Sequence, residues 1–338
     1  MRNRKWGILA LGGVLFGCSP APAQRAPSSG AAQAPVAVGA PHAWPLHPSL
    51  DHASDLSGVT RVGERMILVQ NRPAAPGGAQ VHAFTPTTNG EWQLDGQWSL
   101  VGASDPWIDA EAITTSGRED TLLILVEGGQ AIATAQVWEV SLPPSDGAST
   151  RARVLRRWSL SPDYRDAVGG SEALTRVPTP KDIEGAARGI AVLVGHQAKR
   201  HLGLFVLHDD LADPDVPIAP RREIGTDFGD TSGLYWEPGS LFVWHNENWA
   251  SSPCTKKGAD VNVLEHYPWS ADHTPSALRG GARWKHPQPD DGACWNLEGI
   301  ALGPCHEGVR VLYLANDAGI PMAAHRYELT DFCPNSEL

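Results

Sequence analysis

Five times along this chain a short phrase, an acidic or amide residue followed two positions later by glutamate or serine, runs on into an apolar stretch. The last copy is Asn296-Leu297-Glu298-Gly299-Ile300, with Val311-Leu312-Tyr313-Leu314-Ala315-Asn316-Asp317 after a short gap. The earlier copies are Asp55-Leu56-Ser57-Gly58-Val59, Asp109-Ala110-Glu111-Ala112-Ile113, Asp182-Ile183-Glu184-Gly185-Ala186 and Asp230-Thr231-Ser232-Gly233-Leu234. Their apolar runs are 66–69, 122–126, 190–194 and 241–244. Five copies of one unit imply five supersecondary elements, each needing its neighbours to bury its faces.

Each unit consists of short β-like runs bounded by Gly, Pro, Asp and Asn, with no sustained period of 3.6. In the second unit a strand starts at Glu111 and others span 122–126, 136–142 and 153–160. The first unit matches with 80–85 and 92–100, the third with 202–207 and 222–224, and the fourth with 260–266 and 281–286. The last unit has 322–329 and then lacks a fourth strand. Trp44-Pro45-Leu46 resembles Trp98-Ser99-Leu100 and Trp158-Ser159-Leu160 of the outer strands, so an N-terminal strand is expected to close the last blade.

The spacings from Ser57 through Glu111, Glu184 and Ser232 to Glu298 are 54, 73, 48 and 66 residues. Four strands per unit in radial repetition is the all-β architecture of a five-bladed β-propeller. A six-bladed ring is the alternative, with a degenerate blade near Gly170-Ser171-Glu172-Ala173-Leu174 hidden in the longest interval.

Residues 1–17 carry Arg2, Arg4 and Lys5, a short apolar run, and Leu15-Phe16-Gly17 before Cys18. The run is too short to span a bilayer and reads as a signal peptide. Its ending resembles the bacterial lipobox, which implies lipidation of Cys18, a membrane anchor, and, with Ser19 following, the outer membrane. Cleavage near Ala21-Pro22-Ala23 is the alternative. Residues 18–42 are poor in large apolar side chains and read as a disordered tether, leaving 43–338 for the propeller. The formal net charge of −11 becomes −14 without the three cations of residues 1–17, which argues against a nucleic-acid partner.

Four further cysteines in an exported chain suggest two disulfides. In a propeller, Cys254 and Cys294 fall in connections on one face and Cys305 and Cys333 on the other, so those pairings avoid crossing the domain.

The start of each inner strand and the end of the next strand meet at one mouth of the central channel. The repeated glycines suit close approach of inner strands, and the repeated Asp or Asn suits turn amides. Glutamates at 111, 184 and 298 facing one channel repel each other unless water, a proton or a cation intervenes. A calcium ion, with Glu298, Asn246, Asn316 and Asp317 as first ligands, answers this; a solvated acidic funnel is the alternative. Lys199, Arg200, Trp249, Glu111 and Glu184 are candidate substrate contacts, and His196 and His245 candidate proton carriers. No Gly-x-Ser-x-Gly elbow, His-Glu-x-x-His or phosphate-binding loop occurs.

The phrases Asp182-Ile183-Glu184-Gly185 with Val194-Gly195-His196, and Leu297-Glu298-Gly299-Ile300 with Tyr313-Leu314-Ala315-Asn316-Asp317, resemble bacterial exported propellers of the esterase-like phytase and uncharacterised groups, and more distantly gluconolactonase and apyrase propellers. In the lactonase group such a Glu before Gly, with Asn or Asp at strand ends, holds calcium, which implies Glu298, Asn246, Asn316 and Asp317 here. Serine in two of five repeats departs from that pattern. These features lead to an expected lipid-anchored envelope propeller with a calcium site for a small molecule or envelope partner. A metal-assisted hydrolase of phosphate esters or lactones and a purely structural interaction module are the alternatives.

Overall fold

The computed structural model describes residues 36–37, 42–43, 56–71, 79–87, 92–101, 108–118, 120–128, 134–143, 151–164, 170–246, 261–287, 296–305, 310–316 and 322–327. Met1–Ala31 form a unit separate from Ala32–Leu338 and lie outside that set, so the architecture below belongs to the second unit.

Two short strands, β1 (Val36–Ala37) and β2 (His42–Ala43), precede a series of antiparallel meanders. The first blade is β3 (Leu56–Val62), β4 (Arg65–Gln70), β5 (Gln80–Pro86) and β6 (Trp92–Val101). The second is β7 (Asp109–Thr115), β8 (Thr121–Gly128), β9 (Gln136–Ser141) and β10 (Arg151–Ser159). The third is β11 (Ser171–Arg176), β12 (Ile190–His196), β13 (His201–Leu207) and β14 (Arg222–Gly225). The fourth is β15 (Thr231–Glu237), β16 (Ser240–Asn246), β17 (Val261–Pro268) and β18 (Ala282–Pro287). The fifth is β19 (Leu297–Leu302), β20 (Arg310–Asn316) and β21 (Met322–Tyr327).

The inner strands β3, β7, β11, β15 and β19 touch in that order, and β19 returns to β3, which closes a five-bladed propeller. The fourth strand of the last blade is β2, antiparallel to β21 through His42↔Ala324 and Ala43↔Ala323. The N-terminal closure is thus as expected, but through His42–Ala43; Trp44-Pro45-Leu46, on which the expectation rested, lie outside the described residues. Within the stretch expected as tether, β1 adds to the outer edge of the fourth blade, with Val36 opposite Trp284. The outer strands β6 and β10 also pair, in parallel, and join the first two blades into one eight-stranded sheet.

The core is five wedges, one between each pair of neighbouring blades. Both faces of the second strand of each blade are therefore buried, and its sequence is continuously apolar rather than alternating. On β4, Ile67 and Val69 pack with Ile113 and Ile124 of the second blade. Met66 and Leu68 pack with Ala301, Tyr313 and Ala315 of the fifth. Two of the buried tryptophans satisfy their indole N–H as they fill the wedges: Trp244 Nε1 donates across the blade boundary to the Leu297 carbonyl at 2.9 Å, and Trp158 Nε1 to that of His208 at 2.7 Å.

The third blade corrects the sequence reading. Its inner strand is β11, the segment suspected of hiding a sixth blade. Residues 182–185 instead lie between β11 and β12, at the end of the blade away from the mouth, where Asp182 accepts from Arg222 Nη1 and Thr274 Oγ1, both at 3.0 Å. Both phrases place a glutamate before a small residue and precede the same apolar run, so local pattern favoured the wrong one. With Glu172 in place of Glu184, the repeat intervals even out to 54, 61, 60 and 66 residues.

Candidate functional site

Every inner strand slips register at its mouth end, and the residue left out of register is the repeated Glu or Ser, joined in the fifth blade by Gly299. The ladder jumps from Leu56 to Gly58, Ala110 to Ala112, Ser171 to Ala173, Thr231 to Gly233 and Leu297 to Ile300. Ser57, Glu111, Glu172, Ser232 and Glu298 thus occupy five equivalent bulges. A bulge unpairs one residue and re-aims its side chain.

The carboxylates of Glu111, Glu172 and Glu298 come from three blades and offer oxygens that all lie within 4.8 Å of one another. These residues are only 5%, 7% and 4% exposed. The other two blades supply Ser57 and Ser232, whose buried hydroxyls have no hydrogen-bond partner among the described residues. Beneath the ring the inner strands close on a cavity of about 10 Å³ bordered by Gly58, Ala112, Ala173, Gly233 and Gly299, room for about one water molecule.

Amides buttress the ring. Asn71 Nδ2, just beyond β4, donates to Glu111 Oε1 at 2.8 Å. Asn246 Nδ2 donates to Asn296 Oδ1 at 2.8 Å, and Asn296 Nδ2 to Glu298 Oε1 at 2.6 Å. These bonds fix which way each carboxylate points. They do not remove the repulsion: two unit charges roughly 4.8 Å apart repel by about 3 kcal/mol at an effective dielectric constant of about 20. A proton or a cation among the three glutamates would offset that repulsion.

Of the expected site residues, Glu111 and Glu298 meet in the ring. Asn246 reaches Glu298 only through Asn296, and Asn316 is buried opposite Leu297 at the mouth end of β20. Glu184 is exposed in the segment between β11 and β12 and does not reach the mouth. His196 is fully buried on the side of β12 that faces the second blade, edge-on to Tyr164, and its Nδ1 accepts from the Ala198 amide at 3.0 Å. His245 is fully buried too, with Nε2 3.0 Å from Glu265 Oε2 and Nδ1 3.1 Å from the Gly229 carbonyl. Glu265 also accepts from Arg283 Nε at 2.6 Å. Burial opposes ionisation of Glu265, but His245 and Arg283 outweigh it and hold the carboxyl below its usual range. Both histidines are therefore wedge residues. Lys199 donates to the Asp163 carbonyl and lies over the Tyr164 ring, and Arg200 is exposed beside it. Cys18, Trp249, Cys254, Cys294, Asp317 and Cys333 lie outside the described residues.

Sequence reasoning missed Glu172 and read Ser57 and Ser232 as departures from a pattern. Evenness of spacing is the signal that finds Glu172; the bulge that groups it with the serines has no local sequence signature.

No protein-family model and no curated protein matches this chain. Among solved structures it is similar to the exo-β-1,3-galactanase of Clostridium thermocellum, at 10% identity and a TM-score of 0.49, over 80% of this chain and 57% of that one. A bifunctional GH43-CE protein of Bacteroides eggerthii gives 14% and 0.49, over 84% of this chain and 34% of that one. An exo-1,5-α-L-arabinanase from a bovine ruminal metagenomic library gives 10% and 0.46, over 82% and 94%. The chain thus spans less than two thirds of the first two. The resemblance to phytase and lactonase propellers holds at the level of the propeller fold alone.

Proposed function

We propose that this protein is an exported, lipid-anchored propeller whose channel mouth binds a hard divalent cation of the calcium class and presents it to a small molecule or an envelope partner. The observation that carries the reading is the convergence of Glu111, Glu172 and Glu298 within 4.8 Å in a buried ring. Calcium takes oxygen ligands at about 2.3–2.6 Å, so ligands on opposite sides of one ion are about 4.6–5.2 Å apart. Oxygens that all lie within 4.8 Å of one another are close enough to share one such ion, and a cation offsets the mutual repulsion of the carboxylates. Ser57 and Ser232 add neutral oxygens at the equivalent positions, as a calcium shell accepts.

The anchor on Cys18 and an outer-membrane location belong to this proposal, as do the pairs Cys254–Cys294 and Cys305–Cys333. The disulfide-bonded state of Cys305 supports a bridge at that cysteine. His196 and His245 are not retained as proton carriers, because both rings are engaged between blades.

Thermal melting of the purified protein in EDTA and in excess calcium tests the reading. The expected result is a higher melting temperature in calcium, with most of the difference lost in Glu298→Gln. Identical melting temperatures for the unaltered protein in both conditions would remove the ion from the account.

A further inference from the structure

The ring is not the only convergent carboxylate set at the mouth. Asp109, Glu111 and Glu127 also bring one oxygen each within 4.8 Å of one another, and Glu111 belongs to both sets. We infer that the mouth holds two hard divalent cations side by side, with the Glu111 carboxylate as the bridge. The first ion lies in the ring with Glu172 and Glu298, and the second lies between Asp109, Glu111 and Glu127. This rests on the cation reading above and extends it.

Two observations beyond the acidic cluster point to the second ion. Asn71 is 5% exposed and fixed by its Nδ2 on Glu111 Oε1 at 2.8 Å. The Oδ1 of the same amide is buried with no hydrogen-bond partner among the described residues. A carbonyl-type oxygen held beside the Glu111 carboxylate, which belongs to both sets, is a calcium ligand in type, and leaving it unsatisfied is costly. The second observation is Gly170, just before β11. A Cβ there would sit 1.5 Å from Glu127 Oε1 and 2.0 Å from its carboxyl carbon. Glu127, from the end of β8, therefore lies in a space that exists only because residue 170 has no side chain. The missing atom lets the carboxylate lie across the entrance of the third blade.

A carboxylate has two oxygens, so Glu111 serves both ions without leaving its position.

Calcium titration by isothermal calorimetry on the full chain, stripped with EDTA and dialysed, tests this by stoichiometry. The expected result is two ions per chain, falling to one in Glu127→Gln and to one in Gly170→Ala. Both variants should melt with the unaltered protein in EDTA, since Glu127 is partly exposed and its replacement keeps the side-chain volume. One ion per chain, unchanged by Glu127→Gln, would overturn the second site and leave the ring intact. No binding would overturn both. Two ions that persist in both variants would show that the second ion is held elsewhere.

Discussion

Replacing Gly299 by alanine tests how the ring closes. The added Cβ would lie 2.7 Å from Gly58 Cα, Ser57 O and Val59 N, all backbone atoms of the neighbouring blade. Carbon contacts relax to about 3.5–4.0 Å, so β19 must back away from β3 by about an ångström, and a closed ring has no free side to absorb that. Overpacking of this kind costs about 1–3 kcal/mol. The gain of alanine over glycine in a strand offsets about 0.5–1 kcal/mol, leaving a net loss of about 2 kcal/mol. Gly233 is the internal control: its nearest contacts would be Glu298 O at 3.0 Å and the Ile300 side chain at 3.1 Å, so Gly233→Ala should be close to neutral. Gly185, the glycine of the displaced phrase, has φ of 75° and open space around it. Gly185→Ala should cost about 1–2 kcal/mol through left-handed backbone strain alone, most of it recovered in Gly185→Asn. Urea denaturation followed by tryptophan fluorescence gives the comparison through midpoints and slopes. A Gly299→Ala protein within 0.5 kcal/mol, roughly the size of an ordinary surface substitution, or a larger loss at Gly233, would refute the closure of the fifth blade on the first.

Two further predictions concern buried charge. Burial lowers the pKa of His82 from 6.5 to about 4, with Nε2 3.2 Å from Gln70 Oε1. The unfolded chain therefore takes the proton first, so stability is complete above pH 6.5 and falls as pH drops toward 4. The loss attributable to His82 at pH 4 is about 3 kcal/mol, and His82→Gln should flatten the urea-midpoint profile across that window; parallel profiles would contradict it. Glu265→Gln takes one of two carboxylate partners from Arg283, which keeps Asp227, and alters the partner of His245 Nε2; it should destabilise by about 1–3 kcal/mol in the same assay, with a change below about 0.5 kcal/mol as the contrary result.

The architecture was legible because a propeller repeats. Outer and middle strands such as 80–85 and 136–142 fall within a residue or two of β5 and β9, since turn residues and apolar runs mark them locally. The closing strand could be placed because the last unit ran out of chain one strand short. The inner strand of the third blade was not legible: Ser171-Glu172-Ala173-Leu174 and Asp182-Ile183-Glu184-Gly185 compete as local patterns. What decides between them is hydrogen bonding to β12, where Ser171 pairs with His196. The site followed suit. Glu111 and Glu298 were found as members of a repeat, while Glu172 was lost with its strand. The histidines drew attention as chemically capable side chains at strand ends, but on β12 and β16 their parity turns them into the wedges. Parity relative to a five-fold axis is a tertiary property that a strand pattern alone does not carry.

The central claim is that the bulged glutamates form a cation site, and locating the ion tests it most directly. A crystal structure of the protein in saturating calcium, with anomalous differences to mark the ion, should place calcium at about 2.3–2.6 Å from oxygens of Glu111, Glu172 and Glu298. A ring that holds only water at saturating calcium, or calcium bound solely at another face of the propeller, would contradict the account.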